Sequence, residues 1–149
     1  MAGEAYRAVF IRIHPTGKMV LSLTTEADGH EAEYAEQVGT ELGVPALDVK
    51  VVPADTDRFG EGHGFNTSPS TGTAAAIAST TGKILTKARL LAGAAMDTPP
   101  DELEWANGRF VGGGEQSTTV AEAASYSYGS GELPAGIEGG LDAQTVYRD

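Results

Sequence analysis

Two short stretches near the start of the chain alternate apolar and polar residues. The apolar positions are Val9, Ile11 and Ile13 in the first stretch and Met19, Leu21 and Leu23 in the second. A period of two places such side chains on one face of a β-strand. The intervening Pro15-Thr16-Gly17-Lys18 supplies turn residues, so the pattern predicts a β-hairpin over residues 6–24.

The period then changes to that of a helix. Apolar residues recur at every fourth position, at Tyr34, Val38 and Leu42. This spacing predicts an amphipathic helix over residues 30–43 that ends at Gly43. A β-branched run at 49–52 stops at a proline and predicts a short strand.

Residues 54–70 show no periodicity and are expected to form a long loop. A long helix is predicted over 71–96, with its core stripe at Ile77, Ile84, Leu85, Ala88, Leu91 and Ala95. The dipeptide Asn107-Gly108 lies between alternating residues and predicts a second hairpin over 102–111.

Residues 112–149 form an acidic, glycine-rich tail with little pattern. We expect only a short helical piece at 120–124 and a strand-like segment at 145–147 within it. The predicted fold class is α/β in the α+β sense, with antiparallel hairpins packed against two helices. One domain over residues 1–149 is expected from the length.

Composition narrows the classes of function. The chain has 10 Lys and Arg residues against 21 Asp and Glu, a formal charge of -11, which argues against nucleic acid and anionic membranes as partners. It has no cysteine, so these residues can hold neither a disulfide nor an iron-sulfur cluster. The first residues lack the features of a secretory signal, which predicts a cytoplasmic protein.

The loop before the long helix is the first candidate binding site. It places small and hydroxyl-bearing residues, from Gly62 to Thr71, directly before a predicted helix start. Glycines that let the backbone approach closely, together with N–H groups at a helix start, form an anion site that phosphate commonly occupies. In the alternative interpretation, Ser70 or Thr71 only caps the helix and the rest is a flexible loop.

Other chemistry is less well supported by the residues. The possible ligands Asp55, Asp57, Glu61 and His63 match no calcium-loop spacing, so no metal site is predicted. A hydrolase triad built on Ser68 or Ser70 lacks a nucleophile elbow. His30 could be a base or a surface residue of a first helical turn. No catalytic residue is predicted within the chain.

Several motifs together resemble the molybdenum-binding large subunit of the molybdenum hydroxylases, the xanthine dehydrogenase and aldehyde oxidase family, and most of all its aerobic carbon monoxide dehydrogenase type. In chain order they are Phe10-Ile11-Arg12-Ile13-His14-Pro15-Thr16-Gly17-Lys18, Gly29-His30-Glu31, Tyr34-Ala35, Thr40-Glu41-Leu42-Gly43-Val44-Pro45, Asp55-Thr56-Asp57, the Gly62-to-Thr71 loop, Asp101-Glu102-Leu103-Glu104-Trp105 and Gly139-Gly140-Leu141-Asp142-Ala143. The resemblance covers nearly the whole chain. Asn66-Thr67-Ser68-Pro69 is closer to the xanthine dehydrogenase branch, so the substrate stays open.

The resemblance implies an interior segment of a longer subunit, lying between the family's active-site loop and its catalytic glutamate. It implies binding of molybdopterin with molybdenum, in a cytosine dinucleotide form. The residues expected to contact this cofactor are Asp28, Gly29, His30, Gly62, Gly64, Asn66, Thr67, Ser68, Ser70 and Thr71. The implied partners are the remaining large-subunit segments, iron-sulfur and FAD subunits and a small-molecule substrate that is oxidised with water.

One departure from the family pattern concerns Asp28. The family usually has Gly-Gln-Gly-His where this chain has Ala27-Asp28-Gly29-His30, which replaces an amide that can donate a hydrogen bond with a carboxylate that cannot. The isolated chain is expected to be inactive. The alternative hypothesis is a non-catalytic split or degenerate module that assembles with partner chains and stabilises them.

Overall fold

The structure is a computed structural model that describes residues 7–25, 27, 29–53, 72–113, 115–129 and 133–148. Its main sheet has four strands: β1, Arg7–Ile13; β2, Met19–Leu23; β3, Val49–Val52; and β7, Leu141–Tyr147. Their spatial order is β3-β2-β1-β7. The predicted first hairpin is confirmed, since β1 and β2 pair antiparallel with Ile13 opposite Met19.

Two helices cover one face of this sheet. They are α1, Glu31–Leu42, and α2, Thr73–Met96. The alternating residues of β1 and β2 that define the predicted apolar face are all at most 1% exposed and form the core with Val38, Leu42, Ile77, Ile84, Ala88 and Leu91. The amphipathic helix ends at Gly43 in the left-handed region, with φ of 74°, as the sequence predicts.

β2 and β3 run parallel, with Met19 opposite Val49 and Ser22 opposite Val52. A parallel pair needs a crossover connection, and α1 with a short 3₁₀ turn at Ala46–Asp48 supplies it. The sequence pattern predicts the strand and the helix but not this parallel pairing, because alternation along one strand carries no information about the direction of its neighbour.

A second, smaller sheet is antiparallel and contains β4, Glu104–Ala106; β5, Arg109–Val111; and β6, Ser117–Thr119. Its first two strands form the predicted second hairpin, with Asn107 and Gly108 at φ of 52° and 78° in the turn. Arg89 of α2 holds this sheet in place. Its guanidinium donates to the Leu103 carbonyl at 2.6 Å and lies 5.2 Å from the ring centre of Phe110.

Three expectations are corrected. The described residues contain a third helix, α3, Val120–Tyr128, where only 120–124 was expected. The last strand begins at Leu141 rather than at residue 145 and pairs with β1 along its whole length. Ala95 is exposed, because Ala92 and Met96 occupy the buried positions one turn beyond Ala88. In the part of the chain that the structure describes, no helix is long and apolar enough to cross a membrane.

Candidate functional site

The starts of α1 and α2 lie at the same end of the molecule. The Gln37 side chain donates to the Ala74 carbonyl at 2.8 Å, and the Thr81 hydroxyl donates to Glu41 at 3.2 Å. From the first contact to the second, the residue number rises in both helices, so the two helices run parallel. The first turn of α1 therefore extends beyond the start of α2 at that end.

The strands converge on the same end. Since β2 precedes α1 and β3 precedes the segment that enters α2, the carboxyl ends of both strands face the helix starts. In open α/β sheets this edge is where ligands bind. The end of β7 also reaches it, because the Tyr147 hydroxyl lies 3.1 Å from the Thr73 hydroxyl in the first turn of α2.

Gly29 and His30 form the entry to α1. Gly29 has φ of +84°, is exposed and has open space where a side chain would stand. His30 occupies the N-cap position but makes no side-chain cap. Its Nδ1 lies 3.1 Å from a carboxylate oxygen of Glu33, and its ring centre lies 6.0 Å from that of Tyr34. The imidazole is therefore a first-turn surface group with about half of its side chain exposed.

The start of α2 has a different character. Its N-cap residue is Gly72, which has no side chain with which to cap the helix, and its first turn contains no acidic residue. A cavity of about 300 Å³ opens here between α2 and the end of β7, lined by Gly72, Ala75, Ala76, Ser79, Thr145, Tyr147 and Arg148. None of the described residues that line this recess carries a carboxylate, so none of them opposes an anion near the positive end of the helix dipole.

Thr25 is a buried polar residue at this end of the molecule that sequence reasoning missed. It lies just beyond the end of β2 and is only 1% exposed. Among the described residues, its hydroxyl oxygen has no hydrogen-bond partner. The available signal was a polar residue at the position that continues the buried series of Met19, Leu21 and Leu23.

Of the predicted cofactor contacts, the structure describes Gly29 and His30 and brings them to the same end as the start of α2. The others lie outside the described residues: Asp28, Gly62, Gly64, Asn66, Thr67, Ser68, Ser70 and Thr71. The rejected ligand set of residues 55–63 also lies outside them. Within the described ranges, no cluster of three His, Asp or Glu side chains could hold a metal ion.

Comparison with known proteins defines the class to which this fold and site belong. The family model described as the molybdopterin cofactor-binding domain matches residues 2–149. The chain belongs to this family of molybdopterin cofactor-binding domains. The predicted relationship to the molybdenum hydroxylases is thereby confirmed.

Within this class the chain is similar to large chains of carbon monoxide dehydrogenase. It is 38% identical to the large chain from Afipia carboxidovorans over 144 residues, which covers 92% of this chain and 17% of the relative. It is also 38% identical to the large chain from Hydrogenophaga pseudoflava over 142 residues, with the same two coverages. The reconstituted CO dehydrogenase from Oligotropha carboxidovorans superimposes with a TM-score of 0.82 at 32% identity, covering 97% of this chain and 18% of that one. The chain thus spans less than a fifth of the length of these relatives.

Proposed function

We propose that this chain is the part of a molybdenum hydroxylase large subunit that binds the phosphate-bearing portion of molybdopterin, in its cytosine dinucleotide form. The observation that carries the proposal is the convergence of two parallel helix starts and the carboxyl ends of β2 and β3 at one end of the molecule. Backbone N–H groups and helix dipoles at such an edge attract anions.

The charges favour the start of α2 for the anionic group. The first turn of α1 carries Glu31 and Glu33, whose charges oppose an anion, whereas the first turn of α2 carries no acid. We therefore assign the phosphate groups to the start of α2 and to the segment 62–71 that precedes it. His30 and Gly29 are assigned to the flank of the cofactor nearer α1, where Gly29 leaves room for a close approach.

The described residues fit this group. The buried Thr25 hydroxyl has no partner among the described residues, and an anion would supply the missing acceptor. When bound, the molybdenum cofactor supplies the redox chemistry by which the family oxidises a small substrate with water. This chain's own part is to bind and orient the cofactor, with no catalytic residue of its own.

We further propose that electrons leave to iron-sulfur and FAD groups on partner chains. The 149 residues contain no cysteine with which to hold an iron-sulfur cluster. The remaining large-subunit segments and these partners complete the enzyme, and the proposal places the complex in the cytoplasm.

Gly64→Val in the assembled enzyme tests the proposed function. If Gly64 lets the backbone approach the cofactor phosphates, a branched side chain there abolishes cofactor loading while the complex still assembles. The measurement is molybdenum per complex, with the cytidine nucleotide released by acid hydrolysis.

The matched control is Gly82→Val, because Gly82 lies on an exposed turn of α2 with open space around it. This variant should load normally. Normal loading of Gly64→Val would favour the helix-capping interpretation of the loop. A wild-type complex that assembles but never holds cofactor would support the non-catalytic module.

A further inference from the structure

The two adjacent threonines at the end of β2 differ in their hydrogen bonds. The Thr24 hydroxyl accepts the Ala8 N–H at 2.8 Å and lies 3.3 Å from the Ala8 carbonyl, to which it donates. The Thr25 hydroxyl is buried to the same degree but has no partner among the described residues. A buried hydroxyl without a partner is destabilising, so its retention in a protein calls for an explanation.

The position of Thr25 points to a ligand as the missing partner. Side chains of β2 alternate between the two faces of the sheet, and Met19, Leu21 and Leu23 are those buried beneath the helices. The Thr24 N–H still bonds to the Ala8 carbonyl, so the strand pairing extends one residue beyond β2. Thr25 follows directly, in the bend at the carboxyl edge of the sheet, and is buried there.

The turn that follows keeps the chain at this edge. Ala27 is 3% exposed, and its carbonyl accepts the N–H of His30, the N-cap residue of α1. The unpartnered hydroxyl thus lies between the end of a strand and the start of a twelve-residue helix, at the same end as the start of α2. The start of α2, whose first turn carries no acid, favours an anionic acceptor at this end of the molecule.

We propose that Thr25 is a cofactor-binding residue whose hydroxyl donates a hydrogen bond to a phosphate oxygen of the bound molybdopterin cofactor. This inference rests on the proposed function and adds a residue to it. A hydrogen bond to a charged acceptor is stronger than one between neutral groups. A hydroxyl group can also rotate to direct its proton at the acceptor. In the absence of cofactor, the hydroxyl does not stabilise the fold.

The test is Thr25→Val in the assembled enzyme, because valine keeps the shape and removes the donor. Release of cofactor at elevated temperature, followed as free cytidine nucleotide after hydrolysis, should become about tenfold to hundredfold faster. Thr25→Ser keeps the hydroxyl and should restore slow release.

A second measurement separates binding from folding. In a complex produced in cells that cannot make molybdopterin, hydrogen exchange of the peptides covering residues 7–25 should be no faster in Thr25→Val than in wild type. The matched control, Thr24→Val, removes a bonded hydroxyl from the Ala8 backbone and should accelerate exchange there.

The outcomes are distinct. Wild-type slow release in Thr25→Val overturns the inference and leaves the proposed function intact. Faster exchange in cofactor-free Thr25→Val, equal to that of Thr24→Val, also overturns it, because the hydroxyl would then stabilise the fold itself. A wild-type complex without cofactor defeats the proposed function and this inference together.

Discussion

Helices α1 and α3 begin with the same spacing but satisfy their first turns differently. Each has an N-cap residue followed three positions later by glutamate: His30 with Glu33 in α1, and Thr119 with Glu122 in α3. In α3, the Thr119 hydroxyl accepts the Glu122 N–H at 3.1 Å and the Glu122 carboxylate accepts the Thr119 N–H at 3.0 Å. This reciprocal capping box needs no other group.

In α1 the glutamate has another role. Glu33 turns toward the His30 imidazole at 3.1 Å, and the His30 N–H is bonded to the Ala27 carbonyl at 2.9 Å. The side chain of the N-cap residue His30 makes no cap to the first turn. The comparison shows that α3 begins with a closed cap, whereas the N-cap residue of α1 makes none, which fits our proposal that the start of α1 contacts the cofactor.

The largest expected effect comes from Asp28→Gln. Asp28 comes two residues before the N-cap residue His30 in the sequence. If it contacts the cofactor as we propose, its carboxylate repels the phosphate groups and offers no donor, and such a mismatched contact costs on the order of 1–3 kcal/mol. The amide should therefore slow cofactor release about tenfold to hundredfold. The measurement is the rate of cofactor release from the assembled enzyme. Slower release would support the contrast between the start of α1, which we propose contacts the cofactor, and the start of α3, which is structural.

Asp101→Asn is the matched control, since it removes an exposed carboxylate from the short 3₁₀ turn at Pro100–Glu102. It should leave release unchanged. Equal release from wild type and Asp28→Gln would remove Asp28 from the cofactor site.

Thr119→Ala tests the other helix start. Loss of an N-cap hydroxyl costs about 1 kcal/mol of stability, and a hydrogen-exchange measurement on peptides covering residues 117–128 should show the local destabilisation. Cofactor release should not change. Thr119→Ser keeps the cap and should behave as wild type, whereas accelerated cofactor release from Thr119→Ala would break the distinction between the two helix starts.

The first hairpin and the amphipathic helix could be predicted because each depends on a local period. The buried polar residues of the core could not be predicted in this way. Thr80 and Thr81 are buried because their hydroxyls bond to the carbonyls of Ala76 and Ala78, one turn back in the same helix. A hydropathy pattern assigns threonine to the surface. The buried face of α2 is therefore wider than the apolar stripe that the sequence predicts.

The last strand shows a second limit. Leu141–Tyr147 is an edge strand whose place depends on pairing with β1, more than 120 residues earlier in the chain, with Leu141 opposite Ile13. Composition alone suggests a loose acidic tail. At the site, Gly29 and His30 came from the family resemblance, whereas Thr25 required knowledge of which buried hydroxyls have partners.

Glu33→Gln should have the smallest effect and tests the α1 start directly. Removing this negative charge weakens the favourable interaction with the helix dipole, which for an exposed group is worth about 0.3 kcal/mol, so the stability of α1 should fall slightly. The same change removes a charge that opposes an anion. Because Glu33 is largely exposed and solvent screens it, cofactor release should slow by no more than about twofold.

Glu36→Gln is the control, because Glu36 is an exposed acid one turn farther along α1 and away from its start. It should alter neither the stability of α1 nor the rate of cofactor release. A stability loss without slower release in Glu33→Gln would mean that the start of α1 is only structural, like that of α3. Slower release together with the small stability loss would show that one carboxylate stabilises the helix at the expense of the ligand, a conflict that the closed capping box of α3 does not face.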